Sequence, residues 1–348
     1  MTNRELILKL KDNGVLSLSE FETLISSYTK EDMDFAGKIA REICDSIYGK
    51  EIFLRGLIEI SNYCKNDCYY CGIRRSNKCA QRYRLTEEDI LECCKEGYAL
   101  GYRTFVLQGG EDMYFTKERV CSVVSRIKEL YPDCAITLSL GEKDFEEYKA
   151  YTEAGADRYL LRHETADKEH YAMLHPENLS ALTRQKCLFD LKKLGFQTGA
   201  GMMVGAPFQT PLHLAKDMLF LSELRPQMVG IGPFIPHKDT PFKDKERGSL
   251  ELTIFLLSLT RIMLPDVLLP ATTALGTIHP TGREMGVLAG ANVIMPNLSP
   301  MSVRKKYMLY DGKISVGDES AQSVNTVREK MSSIGYEVSL SRGDHKSI

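Results

Sequence analysis

The residues with the clearest chemistry lie in the segment Ser61-Asn62-Tyr63-Cys64-Lys65-Asn66-Asp67-Cys68-Tyr69-Tyr70-Cys71-Gly72. Thiolates are the ligands that iron–sulfur clusters take. Cysteines spaced C-x3-C-x2-C in one short loop can wrap three corners of a four-iron cubane. Three ligands for four irons leave one iron open, as catalysis rather than simple electron transfer requires. A structural zinc site is the competing reading. It needs a fourth ligand, and with no histidine in the loop that ligand would be Cys79. The other seven cysteines, Cys44, Cys79, Cys93, Cys94, Cys121, Cys134 and Cys187, are scattered and read as small buried hydrophobes rather than a disulfide framework.

Other segments carry polar groups where a ligand could use them. In Gln108-Gly109-Gly110-Glu111, two glycines allow close backbone approach and the carboxylate can accept hydrogen bonds from an ammonium group, although the same residues also make an ordinary turn. In Asp157–Thr165, strand alternation puts Arg162 and Glu164 on one face and Tyr159, Leu161 and His163 on the other. Charges on an otherwise apolar strand are costly to bury unless paired or ligand-bound. Arg162 and Glu164 are therefore expected to face a cavity, and His163 to be a hydrogen-bonded core residue. Gly199, Gly201 and Gly205, and Ile231-Gly232-Pro233, would let a flat ligand approach the backbone or simply ease packing. Arg184 falls in a helical stretch, where it is either a site residue or a solvated charge. Arg74, Arg75, Lys78, Arg82 and Arg84 follow the triplet and form a solvated face or a dock for an acidic reductant.

These residues need elements to hold them. The first fifty residues read as helices, with Ser17 or Ser19 as an N-cap and Gly49 as a stop. Eight β-like runs follow, at 52–60, 104–109, 135–141, 157–165, 197–205, 228–236, 268–274 and 292–297, with amphipathic helical stretches between them. That alternation predicts an α/β chain forming a complete (β/α)8 barrel of the TIM type over residues 51–311. A helical extension (1–50) would precede it, and a capping extension (312–348) would follow, with a mobile last stretch from 341. The loop after a first barrel strand lies at the C-terminal mouth, where active sites sit. A formal net charge of −2 over 348 residues gives no support for nucleic-acid or anionic-membrane binding. No apolar stretch suits a signal peptide or a membrane span, so the cytoplasm is the expected location.

The triplet after a first strand resembles the signature of the radical S-adenosylmethionine (SAM) superfamily, and Gly109-Gly110-Glu111 resembles that superfamily's GGE motif. The strings LSLGE (138–142), LLRHETAD (160–167), MVGIGPFIPHKDTP (228–241), PATTALGTI (270–278) and GANVIMPN (290–297) are similar to the HydE family of [FeFe]-hydrogenase maturases. That resemblance covers nearly the whole chain and implies two cofactors, a [4Fe-4S] cluster on Cys64, Cys68 and Cys71, and SAM. It implies reductive SAM cleavage to a 5′-deoxyadenosyl radical, which attacks a cysteine-bound Fe(CO)2(CN) substrate during assembly of the hydrogenase diiron site. SAM contacts would fall to Gly109, Gly110, Glu111, Glu164, Arg184, Ile231 and Gly232. Substrate contacts would fall to Arg55, Arg162, Thr272, Thr273 and Tyr307, although on a regular strand only one of the adjacent threonines would point inward. Partners would be HydG, HydF and an electron donor. Some family members hold a second cluster near the C-terminus. The stretch Lys313–Ser323 has no cysteine, so one cluster is expected, and Val303 stands where the family pattern has tyrosine. An amino-acid mutase of the methylornithine synthase type, a biotin synthase-like enzyme and a non-catalytic cluster-binding scaffold are the rival readings.

Overall fold

The computed structural model describes residues 1–314 and 324–346. Three helices come first, Asn3–Asn13, Leu18–Ser27 and Lys30–Tyr48. Each begins at a capping box: Thr2 with Glu5, Ser17 with Glu20, and Thr29 with Asp32. In each, the side-chain oxygen satisfies an amide that the helix cannot, and the acidic residue returns the bond. The third helix stops at Gly49, whose φ of +65° is cheap only for glycine. These helices pack on later ones, with the ring of Tyr28 stacked on Phe255 at 4.5 Å.

Among the described residues nine strands follow: β1 Glu51–Leu54, β2 Gly56–Ser61, β3 Thr104–Gly109, β4 Ala135–Ser139, β5 Arg158–Leu160, β6 Gln197–Val204, β7 Met228–Pro233, β8 Val293–Ile294 and β9 Glu337–Ser339. They form one parallel sheet in the order β2-β3-β4-β5-β6-β7 and a second, also parallel, in the order β8-β1-β9. Helices cover the six-stranded sheet, and β2 and β6 are buried along their whole length, as parallel strands between layers should be. Single parallel bridges join Leu57 to Asn297, Met228 to Leu268 and Pro270 to Val293, linking one sheet to the other.

Several expected strands are altered. The run 52–60 divides at Arg55 into β1 and β2, which belong to different sheets. The run 157–165 is a strand only to Leu160; beyond it Glu164, with a φ of +65°, makes a single bridge to Met202. The run 268–274 is no strand. Pro270 has no N–H to give a ladder, and Thr272 is already the N-cap of a short helix, Thr273–Ile278. Strand β9 was not anticipated, and it pairs with β1 in the register Glu51↔Glu337.

The last described residues are not mobile. Buried Arg158 donates to the carbonyls of Arg342 (2.9 Å) and Gly343 (3.2 Å) and to Asp344 (2.7 Å). His345 is buried too. Residues 315–323, where the family's second cluster would fall, lie outside the described residues. Among the described residues no helix is long and apolar enough to cross a membrane.

Candidate active site

One cavity of about 340 Å³ opens among the C-terminal ends of the strands. That is large enough for a small-molecule ligand. Cys64, Cys68 and Cys71 line one wall, together with Tyr70. Their loop is held by its own backbone and by its neighbours. Lys65 N–H donates to Glu111 O (2.9 Å), Tyr69 N–H to Leu174 O (3.0 Å) and Gly72 N–H to Leu309 O (2.8 Å). The Arg82 guanidinium sits at the centre of the loop and donates to the carbonyls of Asn62, Ile73, Arg74 and Asn77. Arg74 forms a two-pronged pair with Asp67 at 2.7 and 2.6 Å. These two arginines therefore tie the loop rather than face solvent.

The chemistry of the three thiols fits a cluster. All are free and half-buried. Burial, reinforced by the neighbouring thiols, pushes Cys71 up to about 12 and moves Cys68 higher still; burial also raises Cys64. Three thiolates can coexist here only around positive charge, which iron supplies. Cys79 is exposed and takes no part in the wall, so the four-thiolate zinc arrangement has no fourth ligand here. Among the described residues no three His, Cys, Asp or Glu side chains are close enough to hold a single ion.

Next to the cysteines stands the turn after β3. A Cβ at Gly110 would lie 2.1 Å from Tyr63 O and 2.9 Å from Cys64 Cβ, so glycine there lets the turn close on the cysteine loop. Glu111 is buried. Its Oε1 accepts from Glu142 N–H at 3.1 Å, and its Oε2 lies 3.3 Å from Lys65 Nζ. Arg184 is not solvated. Its Nε is 2.7 Å from Glu142 Oε1 and its Nη2 is 3.8 Å from Glu111 Oε1. Burial works against that guanidinium, but Glu142, Tyr171 and Glu111 outweigh it and hold its pKa well above the ordinary value. Tyr70 hydroxyl lies 3.1 Å from His175 Nε2, and His175 Nδ1 is 2.9 Å from Tyr171 O. A carbonyl can only accept, so Nδ1 carries the hydrogen and the phenol donates to Nε2.

Arg162 and Glu164 form an ion pair at 3.0 Å, and both face the cavity. Arg162 Nε and Nη2 and Glu164 Oε2 are buried yet make no hydrogen bond among the described residues. His163 points away, accepting from Gly201 N–H at Nδ1 (3.3 Å) and lying 3.4 Å from buried Asp217 through Nε2. Thr272 and Thr273 both line the cavity because the chain turns into a helix there. Thr272 Oγ1 is another buried oxygen without a hydrogen bond. Tyr307 closes the remaining side, 3.4 Å from Gln108 Nε2. Gly232 also lines the cavity.

Two predicted site residues sit elsewhere. Ile231 is buried in the core and does not border the cavity. Arg55 does not border it either. It is buried with Nη1 2.9 Å from Met228 Sδ, and burial together with nearby Arg158 lowers its pKa well below the ordinary value. The glycines of β6 serve packing: a Cβ at Gly201 would meet Gly230 O at 2.1 Å, and one at Gly205 would meet Gly248 Cα at 2.4 Å. Several charged partners of the site escaped the sequence reading. Glu142 ends the quoted string LSLGE, but only the fold brings it to Arg184. Glu59 and Lys313 form a buried ion pair in the cavity, supported by Asn297 Nδ2 on Glu59 Oε2 at 2.9 Å.

The model of the Radical SAM superfamily matches residues 58–221, from β2 with its cysteine loop to the helix after β6. The chain is a radical SAM enzyme, and the cofactors of that superfamily are a [4Fe-4S] cluster and SAM. Over 351 aligned residues it is 44% identical to the [FeFe] hydrogenase maturase subunit HydE of Thermotoga maritima, covering 100% of this chain and 99% of that protein. It belongs to the family of that maturase. It is also 32% identical to 3-methylornithine synthase of Methanosarcina barkeri, over 91% of this chain and 89% of the other. Among solved structures, methylornithine synthase superposes with a TM-score of 0.82 at 28% identity, covering 96% and 97% of the two chains. The maturase HydG superposes with a TM-score of 0.82 at 20% identity, covering 98% of this chain and 77% of that one, a likeness of fold.

Proposed function

We propose that this chain is the HydE-type maturase of an [FeFe]-hydrogenase, acting on a cysteine-bound Fe(CO)2(CN) unit during assembly of the diiron site. The observation that carries the reading is a cavity lined by three cysteines and by an arginine–glutamate pair and a threonine whose buried polar atoms lack hydrogen bonds. Identity of 44% along the full chain to a HydE supports the same choice. Bound together, the cluster and SAM would supply a 5′-deoxyadenosyl radical, with one electron passing from the reduced cluster to SAM and methionine as the other product.

The chain's own residues bind and orient. Cys64, Cys68 and Cys71 hold the cluster. Glu111, with Gly109 and Gly110 giving room, receives the SAM ammonium group, while Arg184 neutralises Glu111 and Glu142 and balances the charge of the site. Glu164 accepts from the SAM ribose side, and Gly232 gives room beside it. Arg162, held by Glu164, offers its guanidinium to a carboxylate or cyanide of the substrate. Thr272, Thr273 and Tyr307 complete its contacts. Closure of the strands into a complete eight-membered barrel over residues 51–311, flanked by 1–50 and 312–348, belongs to this reading and is supported by the three bridges between the sheets. HydG as supplier, HydF as recipient, an electron donor and a cytoplasmic setting belong to it as well, the last supported by ten unpaired cysteines.

The test is 5′-deoxyadenosine formation by the anaerobically reconstituted, dithionite-reduced protein, with the cysteine–iron carbonyl cyanide complex, with lysine, and with neither. Stimulation by the iron complex alone is expected. Stimulation by lysine would assign the chain to the chemistry of its methylornithine synthase relatives, and SAM binding without cleavage would leave a scaffold.

A further inference from the structure

The outer face of the cysteine loop carries a surface with no role in the cavity. From Tyr63 to Arg84 there are six cations, Lys65, Arg74, Arg75, Lys78, Arg82 and Arg84, against one carboxylate, Asp67, in a chain of net charge −2. Arg74 and Arg82 are used inside the loop, but Lys65, Arg75, Lys78 and Arg84 are exposed. Neither Arg75 nor Lys78 is in an ion pair among the described residues. Beside them Arg84 lies 3.9 Å over the Tyr63 ring and 5.0 Å from that of Tyr114, and Arg119 lies 3.7 Å over Tyr114. Met113, next to this stack, is 73% exposed.

Arginine, tyrosine and methionine are the residue types that protein interfaces favour. The stack is also pre-ordered, because buried Asp112 grips Arg84 at 2.7 and 2.9 Å, so little side-chain freedom is lost on contact. Its position matters most. Tyr63 precedes the cluster ligand Cys64, and the turn at Gly110 closes on both. This is therefore a rigid, positively charged face over the loop that holds the redox centre.

We propose that this face docks a small acidic carrier protein, bearing a flavin or an iron–sulfur centre, that delivers the electron to the cluster. The carrier loses one electron, the cluster gains one, and no bond or proton has to move. The inference rests on the radical SAM assignment and is independent of which substrate the cavity takes. Opposite charge on the rims steers encounter and makes it sensitive to salt.

The experiment compares the reconstituted wild type with R75E/K78E/R119E and with the charge-keeping R75K/R119K, using a bacterial flavodoxin as probe. Binding is measured by biolayer interferometry at low and high salt. Wild type and R75K/R119K should bind flavodoxin in a salt-sensitive manner, and the reversed variant should bind about tenfold more weakly or worse. Dithionite-driven SAM cleavage should be equal in all three. Equal affinity of the reversed variant, wild-type binding that salt does not weaken, or a fall in its dithionite-driven rate would each overturn the proposal. Failure of wild-type SAM cleavage with dithionite would instead count against the functional reading, with the affinity comparison still deciding the docking face.

Discussion

Arg184 shows how the site balances its charges. Two buried carboxylates, Glu142 and Glu111, lie 2.7 and 3.8 Å from one guanidinium. Replacing it with methionine strands Glu142 in a low-dielectric pocket and leaves Glu111 to Lys65, a change that costs several kcal/mol when a buried pair is broken. Arg184→Met should keep its cluster and lose SAM affinity by about 100-fold or more, read by equilibrium binding to the reconstituted protein. Cluster loss instead would make Arg184 a folding residue. Gly110→Ala should do the reverse, since its new methyl meets Tyr63 O at 2.1 Å and pushes the turn off the cysteine loop. Iron content and the EPR signal of the reduced protein should fall, with the secondary structure unchanged. His175 gives a pH signature. Burial lowers its pKa to about 3, against 6.5 in a free histidine. The unfolded chain thus takes up a proton below pH 6.5 that the folded one refuses. The stabilising effect is whole above 6.5 and is lost towards pH 3, at about 1.4 kcal/mol per pH unit. His175→Gln should flatten that part of the melting-temperature profile.

At the scale of elements, the cysteine loop depends on one knot. Arg82 reaches four carbonyls that no lysine could serve together. Arg82→Lys should lower cluster occupancy after reconstitution while leaving the melting temperature of the cluster-free protein nearly unchanged; a large drop in the latter would place Arg82 in the core instead. The loop also illustrates what a sequence can reveal. The triplet and Gly109-Gly110-Glu111 are legible because their members are chain neighbours and their types are diagnostic. Arg82 is not, because its partners are carbonyls, which every residue has. Glu142 and Arg184 lie 42 positions apart, and Glu59 and Lys313 254 apart, so no local pattern couples them. Most strand positions were legible from apolar runs, although 268–274 is no strand and β9 gave no such run. Strand ends were not: the break at Arg55, the positive φ of Glu164 and the helix starting at Thr273 are set by tertiary contacts. The last of these decides the site, since it turns both threonines towards the cavity.

For the whole molecule, the segment 337–345 ties the end of the described chain to its beginning and middle. Strand β9 extends the sheet of β1, and Asp344 meets Arg158 at the foot of β5. Burial opposes the charge of Asp344, but hydrogen bonds from Gln197 and Arg158 outweigh it and hold its carboxyl well below the usual range. A carboxylate depressed in the folded state stabilises above its unfolded pKa, and that contribution is lost as pH falls below about 4. Asp344→Ala should destabilise the protein by about 2 kcal/mol at neutral pH, less than the full loss of a buried pair because the carbonyls of Arg342 and Gly343 remain. The difference from wild type should shrink in acid, as chemical denaturation at pH 7 and pH 3 would show. An undiminished difference at pH 3 would rule out the ion pair as its source.

That same contact orders events in time. Arg158 Nη2 and its three acceptors are 184 to 186 residues apart. While the chain is being synthesised, Thr104 and Gln197 can take Nη1 and Nε early, but Nη2 emerges long before its own acceptors, and water must hold it in the meantime. The foot of β5 therefore cannot dry until the far segment arrives, and a nascent chain should keep that region open to chaperones and proteases until then.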